Sequence, residues 1–239
     1  MNKAVAIVTG ASTSIGWALV AQLLDAKYQV VAQINENVGR LKGLGGSLEI
    51  CRQDLGDERG AQLLIERVRD KYGRVDVLVN TIGPLLQKPL NKLSPLDWQT
   101  QIHFNLNLAF YLSHYALPDL IASKGHIINF AFSGVDQLKA RNDSTAYCAA
   151  KAGLVVLTKS LASALAEHGV RVNAICPGLI EEDGMPSGVE RELMAKEIPF
   201  GRPGLPSEVA EVLAWLVTTS PKYLTGALIS VAGAWEYVG

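Results

Sequence analysis

Tyr147 and Lys151 stand four residues apart in the run Tyr147-Cys148-Ala149-Ala150-Lys151, at the start of a stretch whose Leu154, Leu157, Leu161 and Leu165 recur at helical spacing. Positions four apart on a helix share a face, so a phenol and an ammonium would project side by side. A free phenol titrates near pH ~10 and exchanges protons poorly at neutrality, but an adjacent cation stabilises the phenolate and lowers that value. A tyrosine tuned this way can trade a proton with a carbonyl or an alcohol. The pair alone carries little weight, because an amphipathic helix also places tyrosine against a core and lysine in water. The chain around it decides.

Apolar runs over 4–9, 28–34, 48–52, 75–79, 126–132, 171–176 and 227–231 read as short strands, the first of them buried on both faces. Helical patterns lie between them. One begins at Ile15; a second, carried by Leu63, Leu64, Arg67, Val68 and Tyr72, closes on Gly73 as a left-handed cap. A third starts at Ser94-Pro95-Leu96-Asp97, an N-cap with proline at the first helical position, and reaches Lys124 with a bend near Pro118. The Tyr147 helix ends at Gly169, and Ser207 caps a last helix to Thr218. This alternation predicts an α/β fold, a Rossmann-like doubly wound parallel sheet of about seven strands in a single domain over 1–239. Such sheets bind ligands beyond the carboxyl ends of their strands. From 181 to 206 the pattern dissolves into charge, Gly and Pro around a short helical stretch at 189–196, which predicts a substrate lid.

Composition excludes several classes. Apolar residues make up 49% and charged residues 19% of the 239, with a net charge of −1. That supports a sizeable core and offers no electrostatic footprint for nucleic acid or an anionic membrane. Cys51, Cys148 and Cys176 are odd in number without CxxC spacing, so neither a disulfide framework nor a zinc site is expected. His103, His114, His126 and His168 fall on different elements, and no metal site is expected either. With no signal-peptide pattern and no apolar run of ~18 residues, the expectation is a soluble cytoplasmic protein acting on a small molecule.

The residues flanking the pair then fall into a recognisable order. Thr9-Gly10-Ala11-Ser12-Thr13-Ser14-Ile15-Gly16 joins the first strand to the first helix, where backbone amides and the helix dipole can receive a pyrophosphate. Asp54-Leu55 follows the third strand, Asn80-Thr81-Ile82-Gly83 the fourth, and Pro177-Gly178 the sixth. In these motifs, and over essentially its whole length, the chain resembles the short-chain dehydrogenase/reductase family, with the layout of 3-oxoacyl-[acyl carrier protein] reductases. The resemblance implies a nicotinamide cofactor held by Gly10, Ser12, Ser14, Ile15, Gly16, Asn35, Asp54, Leu55, Asn80, Gly83, Tyr147, Lys151, Pro177, Gly178 and Ile180. It implies Tyr147 as acid/base, Lys151 on the nicotinamide ribose and Asn105 holding a water in the proton relay. It also implies a homo-oligomer, dimer or tetramer; the apolar segment 232–238 would suit an interface or a packed terminus.

Four positions depart from the family pattern. The catalytic hydroxyl slot falls on Gly134 counted back from Tyr147 and on Phe132 counted along the strand, so Ser133 between them is the candidate, with Ser144 second; a strand-end serine bonding backbone is the alternative reading. Ser14 stands where the fingerprint has Gly, acceptable if that residue needs no positive φ. Ile34 takes the place of the acidic residue that selects NAD, and Asn35 that of a basic one. The missing carboxylate tips the expectation towards NADP(H) over NAD(H), with Arg40 or Lys42 as helpers. Glu182 replaces a threonine, leaving Ile180 backbone to serve. The function expected is hydride transfer between nicotinamide and a carbonyl or secondary alcohol, a 3-oxoacyl thioester first among substrates and a pteridine or quinone carbonyl next; a nucleotide-binding homologue without turnover is the alternative.

Overall fold

A computed structural model describes residues 3–182, 185, 192 and 196–236. Seven parallel strands run in the order β3-β2-β1-β4-β5-β6-β7: β1 Val5–Val8, β2 Gln29–Ile34, β3 Leu48–Arg52, β4 Val77–Asn80, β5 His126–Phe130, β6 Arg171–Pro177 and β7 Leu228–Val231. Among the described residues the α-helices are α1 Ser14–Asp25, α2 Glu58–Tyr72, α3 Pro95–Ile102, α4 Leu108–Ser123, α5 Thr145–Leu165 and α6 Pro206–Thr218. Two apolar layers sandwich the sheet. Leu19 and Leu23 of α1 pack with Val209 and Leu213 of α6 on one face. Leu64 and Val68 of α2, Leu112 and Leu120 of α4 and Leu165 at the end of α5 cover the other. Helices on both faces are why the strands read as continuous apolar runs. The strand order reverses between β1 and β4, and the crevice at that switch is where such a sheet takes ligands.

Local signals explain most boundaries. Thr13 accepts from the Gly16 amide at the start of α1, and Gly73 closes α2 at φ 71°. Ser94 and Asp97 form a reciprocal capping box ahead of α3. Two expectations need correction. The last helix opens at Pro206, with the Glu208 carboxylate reaching back to the Leu205 amide at 2.7 Å, so Ser207 is not its cap. The long helix from Ser94 is interrupted by a π-helical turn at His103–Asn107, while α4 runs on through Pro118. α5, continued to His168, is long and apolar enough to cross a membrane by length and composition alone. Its buried face, from Ala146 through Leu154 and Thr158 to Leu165, makes it a core helix against the sheet. The stretch expected to be helical at 189–196 lies, apart from Glu192 and Lys196, outside the described residues.

Candidate active site at the carboxyl ends of the strands

The turn after β1 is shaped by backbone. Gly10 adopts φ 61°, a left-handed conformation costly for a residue with a side chain. Its amide donates to Gln33 Oε1 at 2.9 Å, and Gln33 Nε2 donates in turn to the Gln53 carbonyl at 2.7 Å, so a buried side chain of β2 braces the turn from below. A Cβ on Gly16 would press into the Gly10 carbonyl and fall 2.8 Å from Ala11 Cα. Only glycine permits that approach of helix to turn. Ser14 begins α1 in ordinary helical geometry and is not among the positive-φ residues, which satisfies the condition for serine there. Among the described residues, the amides of Ser12, Ser14 and Ile15 find no acceptor. Unfilled donors at a helix N-terminus fit an anion such as a pyrophosphate.

β1 and β4 are stitched at the same level. The Thr81 amide donates to Thr9 Oγ1 at 3.2 Å, and the Thr81 hydroxyl donates to the Thr9 carbonyl. Asn80 Nδ2 donates to Asn129 Oδ1 at 2.9 Å, and Asn129 Nδ2 to Thr158 Oγ1 at 2.9 Å, a buried polar rung joining β4, β5 and α5. That rung fixes the height of α5 on the sheet. Asp54 is exposed and turns its carboxylate onto the Gly56 amide, and Leu55 is buried beside it.

Three residues from three elements meet beyond β4. Lys151, buried to 3% exposure, donates from Nζ to the Phe130 carbonyl at 2.6 Å. Burial, which desolvates the charge, pulls its amine down to about 7, against a smaller opposing interaction with Cys176. Asn105 sits in the π-helical turn, donating from Nδ2 to the Pro84 carbonyl at 3.1 Å, while its Oδ1 is buried with no partner. Gly83 lies between them: a Cβ there would stand 2.5 Å from Lys151 Nζ and 2.7 Å from Asn105 Oδ1. Lys151 Nζ also lies 5.7 Å from the Tyr147 ring centroid. A buried acceptor without a partner is where a water belongs.

Ser133 is elsewhere. Its hydroxyl donates to the Trp235 carbonyl at 2.8 Å and lies 3.0 Å from Ser230 Oγ. A hydroxyl has one proton; with that proton on Trp235, Ser133 faces β7 and the segment after it, the backbone-bonding arrangement of the alternative reading. β5 also ends at Phe130, two residues short of the expected boundary, although the Ala131 and Ser133 amides still donate to the Ile175 and Pro177 carbonyls of β6 at 2.9 Å each. The Phe132 ring stacks on Tyr147 at 5.6 Å between centroids and 28° between planes. Ser144, the second candidate, is buried with its hydroxyl 3.5 Å from Cys148 Sγ.

The remaining positions line the same end of the sheet. Pro177 and Gly178 close β6, and the Gly178 amide donates to the Val231 carbonyl at 3.0 Å. Ile180 buries its side chain in the core and bridges to Gly204. Ile34, in the place of an acidic residue, is 1% exposed in the core, whereas Asn35 just past it is exposed. Arg40 lies over the Trp17 ring at 6.0 Å, beside the glycine turn. Reading the sequence missed Gln33, Asn129 and Phe130. A polar Gln33 inside an otherwise apolar strand was the available signal for the first; the Phe130 carbonyl has none, because every residue carries one.

Comparison with known proteins agrees with this fold. A family model described as enoyl-(acyl carrier protein) reductase matches residues 10–234. The chain is 36% identical over 241 residues to a 3-oxoacyl-[acyl-carrier-protein] reductase of Chlamydia pneumoniae, covering 97% of this chain and 96% of that one. It is 34% identical to an acetoacetyl-CoA reductase of Rhizobium meliloti, covering 96% and 97% respectively. The crystal structure of gox2181 superposes with a TM-score of 0.87 at 29% identity, covering 98% of this chain and 95% of that one. With its parallel seven-stranded sheet, glycine turn and Tyr147–Lys151 pair, the chain belongs to the short-chain dehydrogenase/reductase family, oxidoreductases that act on the CH–OH/C=O pair.

Proposed function

We propose that the protein reduces a carbonyl to a secondary alcohol, with Tyr147, Lys151 and Asn105 as the proton relay and a 3-oxoacyl thioester as the first substrate class. The observation that carries the reading is the convergence of Lys151 Nζ and Asn105 Oδ1 on the point above Gly83, beside the Tyr147 ring. The names of the relatives support the thioester. A reduced nicotinamide, when bound, supplies the hydride.

The chain's own groups do the rest. The free amides of Ser12, Ser14 and Ile15, with Gly10 and Gly16 keeping the approach open, hold the pyrophosphate. Asp54 and Leu55 flank the adenine, Asn35 the adenosine ribose, and Asn80, Gly83, Pro177, Gly178 and Ile180 the nicotinamide end. Tyr147 gives its phenolic proton to the carbonyl oxygen as the carbon is reduced. Lys151 holds positive charge next to the phenolate so formed and bonds the nicotinamide ribose; Asn105 Oδ1 anchors the water through which Tyr147 is reprotonated. NADP(H) is favoured by the apolar Ile34 where a carboxylate would repel a 2′-phosphate, and by Arg40 near the turn. Exposed Phe110 on α4 and Val156 on α5 suit a dimer or tetramer. Residues 181–206 are the substrate lid, and the site of action is the cytoplasm.

Tyr147→Phe tests the assignment: reduction of an acetoacetyl thioester should fall by at least a thousandfold, above the ~10²–10⁴ of general acid catalysis at its lower end, with cofactor still quenching protein fluorescence. A variant that keeps turning over sinks the role of Tyr147. Phe132 in the hydroxyl slot favours a second reading, a protein that binds nucleotide without turnover. Wild-type protein that quenches with cofactor yet oxidises none of it across a carbonyl panel would establish that one instead.

A further inference from the structure

Three connections leave the carboxyl ends of β5, β6 and β7, and the structure ties them together at one point. Beyond β7 the chain turns sharply: Gly233 and Ala234 are both left-handed, at φ 57° and 63°, and the Trp235 amide closes the turn on the Ala232 carbonyl at 2.9 Å. Left-handed alanine is strained, so something must hold it. The holding groups come from two sides. From the β5–α5 connection, Ser133, 2% exposed, donates to the Trp235 carbonyl, Gln137 Nε2 donates to Glu236, and Lys139 lies 4.0 Å from the same carboxylate. From the β6–α6 connection, the Phe200 amide donates to the Gly233 carbonyl at 3.1 Å, and a Cβ on Gly233 would lie 2.8 Å from Phe200 Cβ. Ser230 Oγ, on β7, completes the arrangement 3.0 Å from Ser133 Oγ.

We infer that Ser133 is a positioning residue: through Trp235 it fastens the 232–236 turn as a strap between the loop that carries Phe132 and the Ile198–Phe200 segment, and so fixes the substrate-side wall of the site. Phe132 immediately precedes Ser133 and stacks on Tyr147; Ile198–Phe200 ends the segment expected to cover the substrate. The strap therefore joins the two sides that a substrate must pass between. Its effect on turnover rests on the reductase reading, whereas its mechanical coupling does not.

Hydrogen exchange at the Phe200 amide reads the coupling directly, because that amide touches Gly233 and not Ser133. Ser133→Ala should speed exchange at Phe200 and over 232–236 roughly tenfold, the loss of about one buried hydrogen bond. Glu236→Ala, an exposed change that leaves the core intact, should speed it roughly threefold. With an acetoacetyl thioester, Ser133→Ala should raise KM roughly tenfold while the pH profile of kcat and cofactor affinity stay as in the wild type, and Ser133→Thr, which keeps the hydroxyl, should restore KM. Unchanged exchange at Phe200 in both alanine variants overturns the strap. A Ser133→Ala enzyme that loses kcat with a displaced pH profile overturns it too, and returns Ser133 to the chemistry. If no carbonyl is reduced even by the wild type, the exchange measurement still decides.

Discussion

A methyl group added at Gly16 would strike backbone, the Gly10 carbonyl and Ala11 Cα, whereas the same methyl at Gly83 would strike only the tips of two side chains, Lys151 Nζ and Asn105 Oδ1. Backbone in a packed turn cannot yield without moving a strand and a helix; a lysine tip can swing aside at little cost to the fold. The nucleotide end of the sheet is thus held by main-chain geometry, and the chemical end by where side chains from β4, the π-helical turn and α5 come to rest. The two ends should fail differently when the same change is made in each.

Gly16→Ala should be the more damaging. Overpacking of about 1–3 kcal/mol against backbone lowers thermal stability, and cofactor affinity falls with it by more than tenfold; a differential scan with and without cofactor measures both. Gly83→Ala should leave the melting temperature and cofactor affinity close to wild type and lower kcat by roughly a hundredfold, the scale set by misplacing a catalytic group by about 1 Å. If Gly83→Ala unfolds the protein while Gly16→Ala merely slows it, the contrast between the two ends is wrong. Phe132→Leu, which keeps apolar volume but removes the stack on Tyr147, should lower kcat by roughly threefold to tenfold, equivalent to the ~0.5–1.5 kcal/mol of an aromatic pair.

A separate effect is on acid stability. His126 is buried on β5, where its Nε2 accepts from Asn173 Nδ2 at 2.9 Å, and burial pulls its pKa down to about 3. Its folded value lies below its unfolded one, so the unfolded chain binds the extra proton between about 6.5 and 3. The stability this group contributes is complete above pH ~6.5 and is lost progressively as the pH falls towards 3. His126→Gln should flatten the acid limb of a denaturant-midpoint titration in that window. An unchanged slope would show that the imidazole is not held neutral.

Much of the architecture was legible because buried parallel strands are apolar on both faces, and β3 falls where the apolar run 48–52 puts it. Local chemistry was equally readable: Gly73 and the Ser94–Asp97 box act over three or four residues, within reach of sequence inspection. What was not legible has a common cause. Ser133 was ambiguous because the carbonyl that takes its proton belongs to Trp235, 102 residues later. The π-helical turn under Asn105 has no residue signature, since it satisfies the packing of α3 and α4 on α5 rather than a local propensity. Ser207 looked like a cap, but the proline before it already occupies the first turn and Glu208 supplies the acceptor.

The strap over Ser133 bears on how the protein is made. The Gln33 brace of the glycine turn closes over 23 residues. The bond from Ser133 to Trp235 must wait until the whole catalytic helix and the last strand have emerged. Synthesis therefore leaves the wall around Tyr147 to be closed last, by a bond between residues 102 apart.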